Sequence, residues 1–276
     1  MRTHSVCQFV TASSIREDIV RLLSKEQQPT PKLIDKLDAC RSGVYKELSN
    51  LSERGALTEA EDGWELTACG QLVTDTIAQR QATEEFLARD LAYWQHHEID
   101  LLPDRFRQQL PNIGDYEVVR GEMPTVNAHV SELLSRLESS DSCDILTPMF
   151  VEGLEDAIPD SPETRVLVTS EVRDRFSGDP TRAGLFSEAE VRVVSAEFAV
   201  SCTDDSLCLV FPDRADDEWR ATFVAETAAA TRWGTDLFES LWAEGEPVDD
   251  EQDGSFKMTG RRGWVGVSRN ENSGHY

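Results

Sequence analysis

Lysine is nearly missing from this chain. Five lysines stand against twenty-two arginines in 276 residues, and 27 Lys and Arg face 52 Asp and Glu, a formal net charge of -25. A surplus of that size excludes binding to nucleic acid or to an anionic membrane through overall charge, and leaves only a local positive face to do so. No run of 18 apolar residues occurs, and the opening MRTHSVCQFVTASSIRED lacks the apolar stretch of a secretory signal, so a cytoplasmic protein without a membrane partner is expected. No CxxC pair occurs either. Cys7, Cys40, Cys69, Cys143, Cys202 and Cys208 are scattered, which in a reducing cytosol reads as small core residues.

What is present is unevenly placed. Residues 1–80 carry ten Lys or Arg and twelve Asp or Glu, whereas residues 81–276 carry seventeen and forty, so the acid surplus belongs almost wholly to the second part. Acid excess with arginine in place of lysine resembles proteins of salt-loving archaea. In about 1 M salt the reach of a charge falls to about 3 Å, and contact residues then matter more than total charge. The apolar share of 39 % and the length suit a folded chain of more than one domain rather than a disordered one.

The order of elements begins with helices. Ser13 or Ser14 with Glu17 offers a capping box for a first helix carrying Ile15, Ile19, Leu22 and Leu23. Thr30 and Pro31 start a second through Leu33, Ile34 and Leu37, and residues 38–41 form a short turn. A third helix over about 42–54 buries Val44, Leu48 and Leu51 and stops at Gly55. Residues 56–58 and 63–66 read as two strands turned at Gly63, a wing. A long helix follows to roughly His97, its length calling for a partner surface. A short helix is expected at 101–110 and another at 127–138. Strands are expected at 143–146, 165–169, 191–194, 198–202 and 207–211, the first three spaced for strand–helix–strand units and the later ones for a meander, with helical or turn segments at 150–157 and 171–176. A helix over 233–242 closes the domain. The domains expected are 1–70, winged helix-turn-helix; 71–115, linker and dimerisation helices; 116–245, an α/β effector or dimerisation domain; and 246–276, a mobile acidic and glycine-rich tail.

Three helices followed by a hairpin fit a major groove when the third helix offers small polar side chains at its N-terminal end. Arg41, Ser42, Tyr45 and Lys46 fill that place. Arg41 suits guanine or a phosphate, Ser42 and Tyr45 a base edge or backbone, and Lys46, with Lys32 and Lys36 on the preceding helix, a phosphate. The opposing reading is a solvated face in a winged helix kept for protein contacts. Glu59, Glu61 and Asp62 on the wing count against simple DNA affinity: either the wing stays clear of phosphates or cations bridge it at high salt.

Residues 38–53, with the string CRSGVYKELSNLSERG that runs on from Cys40 to Gly55, resemble archaeal winged-helix regulators of the ArsR-like and TrmB-like groups. DILTPMF, TRVLVTSEV, SCTDDSLCLVF and WGTDLFESLW resemble the effector domain of archaeal regulators linked to methanogenesis and filamentation. The resemblance spans roughly residues 13–243. It implies an α/β chain overall: an N-terminal winged helix-turn-helix, a long linker helix and a C-terminal α/β effector domain of phospholipase D-like fold, in a dimeric transcription regulator. Phospholipase D chemistry needs paired His and Lys. The sequence has no HxK, its histidines being His4, His96, His97, His129 and His275, so no catalytic residue is assigned. No cofactor is implied. Adjacent His96 and His97 point about 100° apart on a helix and share an ion poorly. Cys202 and Cys208 flank a probable turn and leave a redox or soft-metal role open, so no metal ligand is assigned. Strand ends are where open α/β sheets hold ligands, which selects Thr147, Met149, Ser170, Arg173, Thr203 and Asp204 for a small-molecule effector, each with a bland alternative as core, turn or surface ion pair. The expected partners are double-stranded DNA, a second copy of the chain and that effector. The competing functions are a protein-interaction module of the transcription machinery, and a ligand-independent DNA-binding protein that uses its second domain only to dimerise.

Overall fold

The computed structural model describes residues 5–121, 127–177, 189–216 and 218–248. The expected tail therefore lies, beyond residue 248, outside the described residues. The chain divides into two compact units, the first holding residues 1–95 and 108–114 and the second the remainder.

The first unit opens with helix α1, Val6–Thr11, which the sequence reading missed; the Ser5 hydroxyl accepts from the Gln8 N–H and caps it. Helix α2, Ser14–Leu23, follows, but its capping box does not form. Ser13 is the N-cap and makes no side-chain bond, and the Glu17 carboxylate instead accepts from Arg80 at 2.9 Å. Helices α3, Thr30–Lys36, and α4, Arg41–Glu53, stand where the proline and glycine signals put them. Gly55 ends α4 at φ 76°, with the Ala56 N–H bonded to Leu51 O and the Gly55 N–H to Ser52 O, the double bond of a left-handed helix cap.

Strands β1, Leu57–Ala60, and β2, Gly63–Leu66, pair antiparallel with Leu57 opposite Leu66 and Ala60 opposite Gly63. Gly63 is required twice over. Its φ is 134°, and a Cβ there would lie 2.4 Å from Gln28 O, because the Trp64 and Gln28 backbones exchange hydrogen bonds of 2.9 and 3.2 Å. The long helix is two helices, α5, Ala68–Arg89, and α6, Leu91–His96. Asp90 breaks the run at φ -154° and ψ 73°, and its carboxylate accepts from the Tyr93 N–H, so the residue caps α6 instead of continuing α5. Val73 and Ile77 of α5 share one core with Val10, Ile19, Leu33, Val44, Leu48 and Leu51.

The expected helix over 101–110 shortens to α7, Asp104–Gln109, between 3-10 turns at Ile99–Leu101 and Leu110–Ile113, since Pro103 and Pro111 fix both its ends. The second unit then adds β3, Glu117–Arg120; α8, Ala128–Glu138; β4, Asp144–Thr147; α9, Leu154–Ala157; β5, Arg165–Val168; α10, Ser170–Ser177; β6, Glu190–Val193; β7, Ala199–Cys202; β8, Leu207–Val210; β9, Ala221–Ala225; α11, Ala228–Glu244; and β10, Glu246–Pro247. Among the described residues its sheet has eight strands in the order β10-β6-β5-β4-β7-β8-β9-β3. β4, β5 and β6 run parallel, and β7, β8 and β9 form the antiparallel meander. This is the mixed α/β architecture expected, with β3, β9 and β10 added.

Alternation along the strands gives the sheet two buried faces. Ile145, Val166, Val168, Cys208 and Val224 pack with Leu133 and Leu137 of α8, Leu154 of α9 and Val172 of α10. The other face carries Leu146, Leu167, Val200, Cys202 and Leu207, with α11 across it. Thr227 caps α11 by accepting from the Ala230 N–H, and Gly234 lets the helix sit close, since a Cβ there would meet Cys202 Sγ and Leu207 Cδ1 at 2.7 Å each.

Arg165 fixes the same layer. Its guanidinium makes two 2.7 Å bonds to the two carboxylate oxygens of Asp144 and a third to Glu239 of α11, and lies 5.0 Å from the Phe238 ring. Gly234→Ala is expected to lower unfolding stability by about 1–3 kcal/mol, the usual cost of overpacking. Denaturant titration checks it; a midpoint equal to the parent's would mean that α11 has room to retreat.

Candidate nucleic-acid interface and ligand cavity

In the first unit α4 turns Val44, Leu48 and Leu51 into the core, so Arg41, Ser42, Tyr45 and Lys46 are left exposed on its outer side, Tyr45 at 49 %. The four residues chosen from the sequence therefore share one solvent-facing strip over the first two turns. Lys36 is exposed at the end of α3. Lys32 is exposed too, but bonds Glu26 at 2.8 Å, and that ammonium holds the Glu26 carboxyl below its ordinary value. The other flank of α4 is structural. Burial works to raise the Glu47 carboxyl, but bonds from Arg16 at 2.7 Å and Asn50 at 3.2 Å outweigh it and bring the group below its usual range. Asn50 is thus occupied within the fold. The hairpin is tied to α3 through the Trp64 indole N–H, which donates to Thr30 Oγ1, and it presents Glu59, Glu61 and Asp62 to solvent.

Cys40 stands at the N-cap of α4 with its thiol exposed, 3.5 Å from Ser42 Oγ. The Ser42 hydroxyl first and the Gly43 N–H next hold this thiol below its ordinary value. The sequence reading passed over it as a core cysteine. Its place immediately before Arg41, at a helix start, was the available signal.

In the second unit the six residues chosen for an effector separate into two ends of the sheet. β7 pairs with β4 antiparallel, Asp144 opposite Cys202, so the end of β7 lies at the start of β4. Thr203 is therefore roughly 13 Å along the strand from Thr147, and Asp204 further. Thr203 closes the β7–β8 turn, its hydroxyl 2.9 Å from Asp205 Oδ1 and 2.8 Å from Ser206 Oγ, while Asp204 is exposed. Ser170, exposed, starts α10, and Arg173 bonds the neighbouring Asp174 at 2.7 Å. Thr147 and Met149 are the two of the six that line a cavity of about 100 Å³, where Thr147 Oγ1 donates to Met149 O at 2.6 Å. His129, Ser201, Cys208, Trp219 and Thr222, not selected from the sequence, line it as well. Only the pairing of β7, β8 and β9 brings them together, and β9 had gone unread.

Cys202 and Cys208 face opposite sides of the sheet. Ser201 is opposite Cys208 and Cys202 opposite Leu207, so Cys208 looks into the cavity while Cys202 meets α11. Burial pushes the Cys208 thiol up to about 12 and that of Cys202 well above the ordinary value. The thiol pair considered from the sequence does not form, and among the described residues no group of three or more His, Cys, Asp or Glu is placed to hold a metal ion.

Residues 126–244 match the family described as methanogenesis regulatory protein FilR1, middle domain, and residues 4–88 match the family described as HVO_A0261 N-terminal domain. No curated protein matches the chain. Among solved structures, TrmBL2, an archaeal chromatin protein with a novel mode of DNA binding, is 14 % identical over 90 % of this chain and 100 % of its own, with a TM-score of 0.40. NucT from Helicobacter pylori is 9 % identical over 49 % of this chain and 100 % of its own, with a TM-score of 0.38.

The thiols offer a direct check on both units. Cys40, with its lowered value, is expected to react first with a thiol reagent at pH 8 and to keep reacting as pH falls below the ordinary thiol range. Cys143, raised by burial to about 12, Cys202 and Cys208 are expected to react only after unfolding. Peptide mapping after timed alkylation reads the order; early labelling of Cys208 would contradict the packing of β8.

Proposed function

We propose that this chain is a DNA-binding transcriptional regulator of archaeal, salt-adapted type, acting as a homodimer with a small-molecule sensing domain. The observation that carries the reading is the exposed strip Arg41, Ser42, Tyr45 and Lys46 on a helix whose opposite side is locked into the core. A helix presented this way offers bidentate, hydroxyl and point-charge donors over about two turns, the reach of a recognition helix in a major groove. The match of residues 126–244 to a regulatory family supports the regulatory half of the reading. For the second copy, Leu72, Leu87 and Leu91 are exposed large apolar side chains on α5 and α6, and Leu72 and Leu87 lie about four turns apart on a helix. The effector is assigned to Thr147 and Met149, with Ser170 and Arg173 at the same end of the sheet. The phospholipase D-like character of the second domain rests on sequence resemblance alone, and without an HxK pair we assign it no catalysis.

One observation favours a second reading. The acids Glu59, Glu61 and Asp62 on the wing suit a basic protein surface better than phosphate. The two readings separate on Arg41. Replacing Arg41 and Lys46 together with alanine is expected to weaken DNA binding at least tenfold by gel shift while leaving the melting temperature within a degree or so of the parent, since both side chains are exposed. Unchanged affinity would favour protein contact.

Ordinary phosphate-dominated binding loses about 10³–10⁵ in affinity between 50 and 200 mM salt. Here footprinting in molar KCl is expected to retain protection, because only Lys32, Lys36 and Lys46 are assigned to phosphate and so few contacts give a shallow salt dependence. Protection that disappears by 0.2 M would overturn the salt-adapted reading.

A further inference from the structure

The cavity lies at a seam in the sheet. β4, whose other neighbour β5 is parallel, meets β7 antiparallel, and Ile145 and Thr147 on one side face Ala199 and Ser201 on the other. The chain leaving β4 does not close over this seam. It runs through Pro148, Met149 and Val151 along the rim and turns at Gly153, whose φ is 84°. Crevices at strand ends where direction or connection changes are where open sheets hold ligands.

The chemistry of the walls is selective. Among the described residues no Asp, Glu, Lys or Arg lines the space. The three hydroxyls present are already engaged: Thr147 donates to Met149 O, Thr222 donates to His129 O at 2.9 Å, and Ser201 bonds the Cys208 thiol. The aliphatic remainder gives the space an overwhelmingly apolar surface. A carboxylate or phosphate entering it would lose its water and meet no Lys or Arg, with the His129 imidazole as the one basic side chain in the wall, at a cost of several kcal/mol. Water itself needs two to four polar partners to be held, and apolar cavities of this order stay dry and accept benzene or xenon.

We propose that this cavity binds a small, neutral, apolar molecule, the size of one aromatic ring or a short branched hydrocarbon, and rejects anions. Such a ligand gains by removing apolar surface from water on both sides, at about 25 cal/mol per Å². Its carboxylated counterpart is refused by the missing cation. The inference rests on the sensing reading above only for its effect on DNA; binding itself is separate from it.

The test uses the full-length chain in high salt, with benzene and toluene as neutral probes and benzoate as the anionic one. Benzene or toluene is expected to raise the melting temperature saturably, by about 2–4 °C or more, while benzoate does not. Ala199→Leu fills the space from β7 and should abolish the shift. Val151→Phe, from the rim, serves if the first variant fails to fold. No saturable effect from either neutral probe, equal binding of benzoate, or a shift that persists in a folded filled variant would overturn the proposal. Gel shifts with and without benzene then separate the two ideas. A probe that binds but leaves DNA occupancy unchanged supports the cavity and removes the sensing role; loss of probe binding with DNA binding intact removes the cavity alone.

Discussion

The second unit depends on one guanidinium. Arg165 leaves β5 on the face covered by α11, grips both oxygens of Asp144 on the neighbouring parallel strand, and reaches Glu239 on the helix above. Its hydrogen bonds to Asp144 first, and then to Glu239, push its pKa above the ordinary arginine value. Beside it Arg192 of β6 stacks over the Trp242 ring at 4.4 Å and donates to Trp242 O. Two arginines thus join two parallel strands to the end of the closing helix, using planarity, two-pronged bonding and ring stacking together. A lysine supplies none of the three. The near-absence of lysine from this half of the chain is therefore matched by positions where arginine has a structural task.

Much of this was legible in the sequence where local chemistry alone decides. Gly55, Pro31 and Gly63 each meet a backbone demand that one residue settles, so the winged helix could be laid out almost to the residue. The hydrophobic strands β4, β5, β7 and β8 announced themselves because both faces of the sheet are buried there, and β6 through its alternating valines. β3 and β9 did not. EVVR is a half-exposed edge strand, and ATFVA is flanked by charged and small residues that give no turn signal. Strand direction was invisible as well. Whether β7 runs with or against β4 depends on long-range pairing, and that one sign sends Thr203 and Asp204 to the opposite end of the sheet from Thr147. The capping box and the single long helix failed for a related reason, since Glu17 and Asp90 each had a competing partner that local spacing does not reveal.

The same pairing explains why a cavity, rather than a charged site, lies at the centre of the second unit. β4 is flanked by a parallel and an antiparallel neighbour, and the inward residues at that seam are Ile145, Thr147, Ala199 and Ser201. Three of the four, Thr147, Ala199 and Ser201, are small and leave room that α8 and the chain after β4 do not fill. The acid surplus is carried elsewhere, on outward positions such as Asp204, Glu171 and Asp174. These acids stand on a turn and on the outer side of α10, while the pairing of Asp144 with Arg165 lies on the face away from the cavity, so an intensely acidic protein can still hold an uncharged space.

In the first unit the distribution of lysine reverses. Lys25, Lys32, Lys36 and Lys46 are four of the five in the whole chain, and all four are exposed on or beside α2, α3 and α4. None has the ring-stacking or two-pronged role that arginine takes in the second unit. What a lysine offers is a compact charge on a flexible stem, suited to a phosphate whose position varies along a groove. The one that is paired, Lys32 with Glu26, has side chains 47 % and 56 % exposed. An ion pair that open is worth about 0–1 kcal/mol, and less as salt rises. Lys32 can leave Glu26 for a phosphate at little cost, so the pair is no obstacle to contact. In a chain that otherwise replaces lysine with arginine, retention of lysine at these exposed positions accords with the DNA contact proposed above.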